Sequence, residues 1–243
     1  MSLKNHVILI TGAAGGLGST AALTLAKLGA QIILLDKNLP KLEIIYDKIL
    51  TEGGVEPIMY PFDLAGATEN DYEELAQRIA EKYGALHGLL HSAVEFSSFT
   101  PLIQHSTKAW GHTLNVNLNA PFLLTRVLLP VMQKAARASI VFTSDSSACH
   151  GTAYGGAYGV SKIAMEGLAH ILADEFESSG KIFVNVLIPN PIDSPLRKRS
   201  HPAEDKTKLP TMDSLAPLYE YLFSDRLTVT GKDIDAEILN LEL

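Results

Sequence analysis

Cysteine, positive charge and long apolar runs are all scarce in this chain of 243 residues. Its only cysteine is Cys149, which excludes an internal disulfide framework. The net charge is −7, with acidic and basic residues mixed along the chain, which argues against a general nucleic-acid binder. The apolar runs are of strand length, far short of a membrane span, and no basic-then-apolar leader is present. These absences predict a cytoplasmic protein with neither a membrane nor a nucleic-acid partner.

The residues that are abundant predict one α/β domain over residues 1–243. Nearly half of the chain, 47%, is apolar, and no linker or low-complexity tract divides it. Strand-like apolar runs alternate with helix-length amphipathic segments, which predicts a doubly wound parallel sheet with helices on both faces. Strands are predicted at 7–10, 31–35, 57–62, 87–91, 139–143 and 182–188, and helices at 39–50, 71–82, 106–135 and 156–178, after a first helix that follows the glycine loop. Pro121 and Pro130 are expected to bend or interrupt the helical region at 106–135.

The first strand ends in a loop of small residues with glycines at Gly12, Gly15, Gly16 and Gly18, and a helix follows. Glycines let a backbone turn with positive φ and approach a ligand closely, and the N–H groups at a helix start favour an anion. The loop is therefore a candidate seat for a pyrophosphate. Asp36 lies about 20 residues further on, where an acid can accept hydrogen bonds from an adenosine ribose. An ordinary βα turn and an ordinary turn aspartate are the alternatives.

Polar and small residues also follow the other predicted strands. A parallel sheet binds ligands at the carboxyl ends of its strands, so we expect these residues to outline one site. They are Asp63, Ser92-Ala93, Ser144-Asp145-Ser146 and Pro189-Asn190-Pro191.

Tyr158 and Lys162 lie four residues apart on a predicted helix, so both side chains project from one face. A phenol with its ordinary pKa of about 10 exchanges protons poorly at neutral pH. A neighbouring ammonium stabilises the phenolate and lowers that pKa. The pair is therefore a candidate acid/base unit.

Together these motifs resemble the short-chain dehydrogenase/reductase family over nearly the whole chain. The residues that carry the resemblance are Thr11-Gly12-x-x-x-Gly16-x-Gly18, Asp36, Asp63-Leu64, Asn117, Tyr158-x-Val160-Ser161-Lys162, and Pro189 followed by Ser194. The resemblance implies a single-domain Rossmann fold and hydride transfer between a nicotinamide cofactor and a carbonyl or alcohol.

The resemblance also implies a role for each matching residue. Tyr158 would be the general acid/base, Lys162 would hold the nicotinamide ribose and lower the tyrosine pKa, and Asn117 would anchor a water in the proton relay. The cofactor site would consist of Gly12, Gly16, Leu17 and Gly18 at the pyrophosphate, Asp36 at the ribose, Asp63 and Leu64 at the adenine, Ser194 near the carboxamide, and also Ser92, Ala93, Tyr158, Lys162, Pro189 and Ile192. No metal site is predicted.

The chain departs from the family pattern at several places, three of which bear on the site. Val94 stands where the family usually has a glycine beside the cofactor, and Asn190 stands where it usually has glycine. Asp145 replaces the usual catalytic serine, and an ionised aspartate cannot donate a hydrogen bond. Three alternatives stay open: Ser144 or Ser146 takes the role, Asp145 is protonated, or turnover is weak. His150 and Cys149 are interpreted as loop or pocket residues.

Two functions from different classes follow. The first is an oxidoreductase that acts on a small carbonyl or alcohol, with NAD preferred over NADP because Asp36 repels a 2′-phosphate, although Lys37 opposes this. The second is a nucleotide-binding protein with weak or no catalysis that acts as a sensor or assembly partner. The substrate wall is expected from residues 95–104, 148–155 and 194–209, with 194–212 as a mobile lid. The family and the apolar helix at 156–178 predict a homodimer or homotetramer.

Overall fold

The apolar runs form the strands of a single sheet in the computed structural model, which describes residues 2–148 and 150–236. The loop position predicted for Cys149 and the two ends of the predicted domain therefore lie outside the described residues. The strands are β1 (Val7–Thr11), β2 (Gln31–Asp36), β3 (Ile58–Pro61), β4 (Gly88–His91), β5 (Ala138–Thr143), β6 (Ile182–Ile188) and β7 (Asp233–Asp235).

Helices connect the strands, as the alternating pattern predicts. They are α1 (Gly16–Lys27), α2 (Leu39–Thr51), α3 (Glu69–Tyr83), α4 (Thr107–Leu114), α5 (Ala120–Met132), α6 (Gly156–Glu177), α7 (Pro195–Ser200) and α8 (Ala216–Leu222). Short 3₁₀ turns lie at Leu102–Gln104, Lys206–Lys208 and Met212–Leu215. None of the helices in residues 2–148 and 150–236 has the length and apolar character needed to cross a bilayer.

All seven strands run parallel, in the order β3-β2-β1-β4-β5-β6-β7. One apolar core packs between the sheet and α3, α5 and α6. A second core packs on the opposite face against α1, α2 and α8. Strands β1, β4 and β5 are buried on both faces, which is why they are continuous apolar runs. The predicted doubly wound parallel sheet is confirmed.

Helices α7 and α8 were not predicted from the sequence, and two further features of the fold differ from the prediction. The sheet has a seventh strand, β7, which pairs with β6. The predicted helical region at 106–135 is three consecutive segments, α4, a π-helical turn at Asn115–Asn119, and α5. Pro121 lies just after the π turn, and because proline has no N–H it cannot donate to the Asn117 carbonyl four residues earlier. Pro130 lies inside α5 and does not interrupt it.

Candidate active site

Two clefts open at the carboxyl ends of the strands, and the predicted site residues line them. Cleft A, of about 780 Å³, lies over β1, β5 and β6. Cleft B, of about 570 Å³, lies beside the ends of β2 and β3, and Gly15, Ser92 and Val94 line both. The predicted residues in cleft A are Gly16, Leu17, Gly18, Ser92, Ser144, Asp145, Ser146, Tyr158, Lys162, Pro189, Ile192 and Ser194. Those in cleft B are Gly12, Asp36, Asp63, Leu64, Ser92 and Ala93.

The glycine loop after β1 is packed so closely that side chains would not fit. Gly12 has a φ of +66°, and a Cβ there would lie 2.7 Å from the Ala93 backbone. A Cβ at Gly18 would lie 2.2 Å from the Gly12 carbonyl oxygen. The Thr11 hydroxyl accepts hydrogen bonds from the N–H groups of Ser92 and Ala93, each at 3.1 Å, and so ties β1 to the segment after β4. The role of Thr11 was not predicted from the sequence.

Helix α1 begins directly at this loop and carries no acidic residue in its first turn. Its free N–H groups and the positive end of its dipole therefore face the cleft without a competing carboxylate. Asp36, at the end of β2, accepts hydrogen bonds from the N–H groups of Ala14 (3.2 Å) and Asn38 (2.9 Å). The carboxylate of Asp36 and the side chain of Lys37 line cleft B together.

The Tyr158 hydroxyl donates a hydrogen bond to Asp145 Oδ2 at 2.5 Å. The other oxygen, Asp145 Oδ1, accepts from the Ser147 N–H at 2.8 Å and from the Ser147 hydroxyl at 2.6 Å. The aromatic ring of Tyr158 is buried and packs edge-on against Phe96, with centroids 5.1 Å apart. Sequence reasoning brought Asp145 and Tyr158 to one site, and the structure joins them directly.

Lys162 is buried beneath Tyr158, and its Nζ donates to the Thr143 carbonyl at 2.7 Å. Burial lowers the pKa of Lys162 to about 8, against the opposing effect of the Asp145 and Glu166 carboxylates. The ammonium lies 5.7 Å from the centroid of the Tyr158 ring. A cation therefore lies next to the phenol, as the spacing of the two residues predicts.

Ser144 and Ser146 flank Asp145, and both line cleft A. The Ser144 hydroxyl donates a hydrogen bond to Glu166 Oε1, on helix α6. That hydroxyl is therefore engaged with Glu166, and Ser146 remains the flanking serine for which the alternative role stays open. Glu166 was missed in the sequence, although it follows Lys162 by one helical turn and so lies on the same face of α6.

Asn117 is the one predicted site residue that lines neither cleft. It lies in the π-helical turn, and its side-chain oxygen accepts from the Glu95 N–H at 2.7 Å. Its amide nitrogen donates to the Glu95 carbonyl at 2.9 Å and to the Ser161 hydroxyl at 3.0 Å. The side chain of Asn117 therefore fixes the segment after β4, where Glu95 lines cleft B, to helix α6.

The segment at 194–212 covers one side of cleft A. Ser194 caps α7 by accepting from the Arg197 N–H at 3.1 Å. A Cβ at Gly16 would lie 2.6 Å from Met212 Sδ and 2.9 Å from Pro195 Cδ, so this segment rests on the glycine loop. Arg197 forms a two-bond ion pair with Glu204, with both N–O distances 2.7 Å.

A dinucleotide fits the residues present. The packed glycine loop at the start of α1 lines cleft A, and the cleft continues past Gly15 into cleft B, where Asp36 and Asp63 lie. Val94, which replaces a glycine of the family pattern, lines both clefts. Phosphate would lie at the start of α1, and ribose hydroxyls would lie at Asp36.

Comparisons with known proteins agree with this geometry. The family model described as short chain dehydrogenase matches residues 6–205. The uncharacterized oxidoreductase YciK of Escherichia coli is 39% identical over 236 residues, which cover 97% of this chain and 93% of that protein. Solved short-chain dehydrogenases from Shigella flexneri, complexed with NADP, and from Escherichia coli, complexed with NADPH, superpose with a TM-score of 0.93 each. They are 38% and 39% identical, and the matches cover 97% of this chain and 98% of theirs.

Proposed function

Because this chain belongs to the short-chain dehydrogenase family, it is a nicotinamide-dependent oxidoreductase, and we propose that Tyr158 is its general acid/base. The supporting observation is that the Tyr158 hydroxyl lies in cleft A with the buried Lys162 ammonium next to its ring. The bound nicotinamide supplies or takes up the hydride. Tyr158 gives a proton to a carbonyl oxygen or takes the proton of an alcohol.

Lys162 and Asn117 support Tyr158 in this proposal. The Lys162 ammonium favours the phenolate form of Tyr158 and donates hydrogen bonds toward the nicotinamide ribose. The Asn117 side chain holds the segment after β4 against Ser161, one residue before Lys162. Pro121 has no N–H to donate to the Asn117 carbonyl, and this carbonyl is the candidate anchor for a relay water.

The experiment is reduction of a panel of ketones and aldehydes by the wild type and by Tyr158→Phe, followed by nicotinamide absorbance. We expect Tyr158→Phe to lower turnover about 10²–10⁴-fold while cofactor binding is retained, because a positioned acid is lost and the ring is kept. Tyr46→Phe is the matched control, since Tyr46 lies on α2 and lines neither cleft. Near-full activity in Tyr158→Phe would refute the role of Tyr158.

The alternative of a non-catalytic nucleotide-binding protein is not favoured. The relatives are named oxidoreductases and dehydrogenases, and the acid/base pair is present in this chain. The substrate is a small molecule, and we propose that it is bound over Tyr158 in cleft A. The low cysteine content supports a proposed cytoplasmic location, where thiols stay reduced.

We propose that the chain accepts both nicotinamide cofactors and binds NAD more tightly. The Asp36 carboxylate lines cleft B, where it accepts ribose hydroxyls and opposes a 2′-phosphate dianion. Lys37 lines the same cleft and offsets part of that repulsion. The two solved relatives described above hold NADP and NADPH, which makes NADP the cofactor against which this preference is tested.

We propose that residues 194–212 form a lid that opens for the substrate. Pro195, Leu196 and Arg197 line cleft A, while Met212 contacts the glycine loop. The Arg197–Glu204 pair and the Lys206–Glu204 pair, with an N–O distance of 3.1 Å, fasten this segment internally. Such a segment moves as a unit, because its ion pairs connect its own residues.

A further inference from the structure

Asp145 gives cleft A an acceptor at the point where a carbonyl substrate needs a donor. Its Oδ1 already accepts two hydrogen bonds from Ser147, and Tyr158 fills one position on Oδ2. A carboxylate oxygen accepts two hydrogen bonds, and Asp145 lines cleft A, so Oδ2 can accept a second hydrogen bond from a molecule in the cleft. The group that complements Oδ2 is therefore a hydrogen-bond donor, and a cationic one fits best.

A ketone or aldehyde oxygen does not complement this arrangement. It is an acceptor, so Tyr158 must turn its hydroxyl away from a charged carboxylate toward a neutral carbonyl. The substrate oxygen would then lie near Asp145 Oδ2, and the negative charge that develops on it would be repelled in a site shielded from water. Of the two flanking serines, Ser144 offers no relief because its hydroxyl is bonded to Glu166, and Ser146, which lines the same cleft, does not remove the repulsion between the substrate oxygen and Asp145.

We propose that the preferred substrate of this enzyme is a protonated C=N group, with Asp145 Oδ2 accepting its N–H. This inference rests on the proposed function of cleft A as the site of hydride transfer. The Tyr158–Asp145 hydrogen bond is retained when such a substrate binds, and the carboxylate gains a cationic partner. Asp145 is then a substrate-binding residue that selects C=N over C=O.

The cationic side chains around Asp145 already face carboxylates, so they do not exclude a bound cation. The Lys162 ammonium is faced by two carboxylates, Asp145 and Glu166, and it donates to the Thr143 carbonyl. The Arg197 guanidinium also lines the cleft, but it is paired with Glu204 through two of its nitrogens. Burial, and then the charge of Arg197, lowers the pKa of His201, so this imidazole is neutral at neutral pH.

The reaction balances without a proton transfer in the hydride step. The protonated C=N carbon accepts a hydride, the π electron pair passes to nitrogen, and a neutral amine forms with a new C–H bond. The reduced nicotinamide is oxidised in the same step, so the positive charge moves from the substrate to the cofactor. Tyr158 does not give up its proton here, whereas a carbonyl oxygen must receive one.

The test compares a bicyclic imine, dihydroisoquinoline, with a ketone of similar size, α-tetralone, at neutral pH. We expect the wild type to show a kcat/KM at least about ten-fold higher for the imine. Asp145→Asn keeps the shape and removes the charge, and it should lower imine kcat/KM about 10²-fold, the usual effect of one lost charge-stabilising group. Asp145→Ser supplies a hydroxyl donor, so it should lower imine reduction and raise ketone reduction.

Tyr158→Phe separates the two chemistries. It should lower ketone reduction about 10²–10⁴-fold and imine reduction less than about ten-fold, because only the ketone needs its proton. A second readout needs no turnover. Calorimetry on the cofactor-loaded protein should show that the amine product, tetrahydroisoquinoline, which is a cation at neutral pH, binds about ten-fold more weakly to Asp145→Ser than to the wild type.

Two outcomes would overturn the inference. One is a wild type that prefers α-tetralone and loses that activity in Asp145→Ser. The other is the absence of both imine reduction and Asp145-dependent amine binding in protein that binds cofactor. Failure of the proposed function would give different results. Either the wild type would bind no nicotinamide cofactor, or adding Tyr158→Phe to Asp145→Ser would leave the ketone activity of that variant unchanged.

Discussion

Lys162 holds its charge inside the protein at the expense of stability. Burial lowers its pKa from 10.5 to about 8, so the unfolded state binds more protons between these two pH values. Below about pH 8 both states are charged, and the folded state carries the full cost of the buried ammonium. As pH rises from about 8 to 10.5, this cost is relieved.

We therefore predict that Lys162→Met makes the protein more stable and less active. At pH 7 the free energy of unfolding should rise by about 1–3 kcal/mol, the transfer cost of the charge less the lost bond to Thr143. Urea denaturation at pH 7 and at pH 10 measures the effect, and the difference from wild type should shrink at the higher pH. A variant less stable than wild type at both values would contradict the prediction.

At the ribose end of the site, Asp36 and Lys37 act in opposite directions on a 2′-phosphate. We predict that Asp36→Ala narrows or reverses the preference for NAD, because the carboxylate that repels the phosphate is removed while Lys37 remains. Lys37→Ala is the matched variant and should weaken NADP binding alone. Titration calorimetry with both cofactors measures the two affinities. Equal or tighter NADP binding by the wild type would refute the NAD preference.

Some residue contacts could be predicted from the sequence and others could not. The helical spacing of Tyr158 and Lys162 predicted that they lie together. The position of Asp145 at the carboxyl end of its strand predicted that it lies at the same site. The bond between Ser144 and Glu166 depends on how β5 packs against α6, which no spacing along one element specifies. The same holds for Thr11, whose partners are about 80 residues away in the chain.

Among the structural elements, α7 and the turn after it form the segment that borders the substrate space. Arg197 on α7 donates two hydrogen bonds to Glu204, and Lys206 contacts the same carboxylate. The hydrogen bond from Arg197, together with Lys206, lowers the pKa of Glu204 to about 2, so the pair persists through the ordinary pH range. This pairing keeps the run Arg197-Lys198-Arg199 folded in the lid.

We predict that Glu204→Gln makes the lid easier to cleave. Limited trypsin digestion should cut after residues 197–199 several times faster than in the wild type, because the neutral amide holds Arg197 more weakly. Asp205→Asn is the matched control, since Asp205 is an exposed carboxylate next in the chain and contacts Thr207 and Lys208 instead. Equal cleavage rates in both variants and the wild type would show that the ion pair does not hold the lid.

The elements that the sequence predicts are those with long, periodic patterns. Six strands and the major helices were found in this way, because buried parallel strands are continuous apolar runs. Strand β7 is Asp-Ile-Asp, three residues with a single apolar side chain, and it exists because the edge of β6 offers backbone partners. The π turn at Asn115–Asn119 was also missed, although Pro121 marked the place of an irregularity.

At the scale of the whole molecule, the strand order explains why the chemistry converges. The chain runs outward from β1 to β3 and then crosses to β4 on the other side of β1. The loops after β1 and β4 therefore diverge at this point, and a crevice opens between them. The glycine loop and Ser92-Ala93 lie at this crevice, and Thr11 connects its two sides. The nucleotide-binding residues could thus be predicted from the topology.

Helix α6 carries an apolar stripe that the fold of one chain leaves exposed. Val160, Ile163 and Ile171 are 46%, 43% and 61% exposed, and a Cβ at Gly167 on the same face would have none of the described residues within 4 Å. Leu172, the next residue along the helix after Ile171, is buried in the core instead. On the neighbouring helix α5, Phe122 is 48% exposed. Three branched apolar side chains beside a glycine form a surface that a second helix can approach closely.

We predict that this stripe pairs with its copy in a second chain, so that the protein is a dimer or tetramer. Light scattering at micromolar concentration should give a multiple of 26.3 kDa, and Ile163→Lys should reduce it to the monomer, because a buried ammonium would then face its own copy across the two-fold axis. Ile44→Lys is the control: Ile44 is 64% exposed on α2, which packs on the opposite face of the sheet, so that variant should keep the assembly. A wild type that scatters as a monomer would refute the prediction, and dissociation by both variants would show that the contact is not made by α6.

Helix α6 also carries Tyr158 and Lys162, so we expect dissociation by Ile163→Lys to lower turnover as well, whereas Ile44→Lys should leave turnover unchanged.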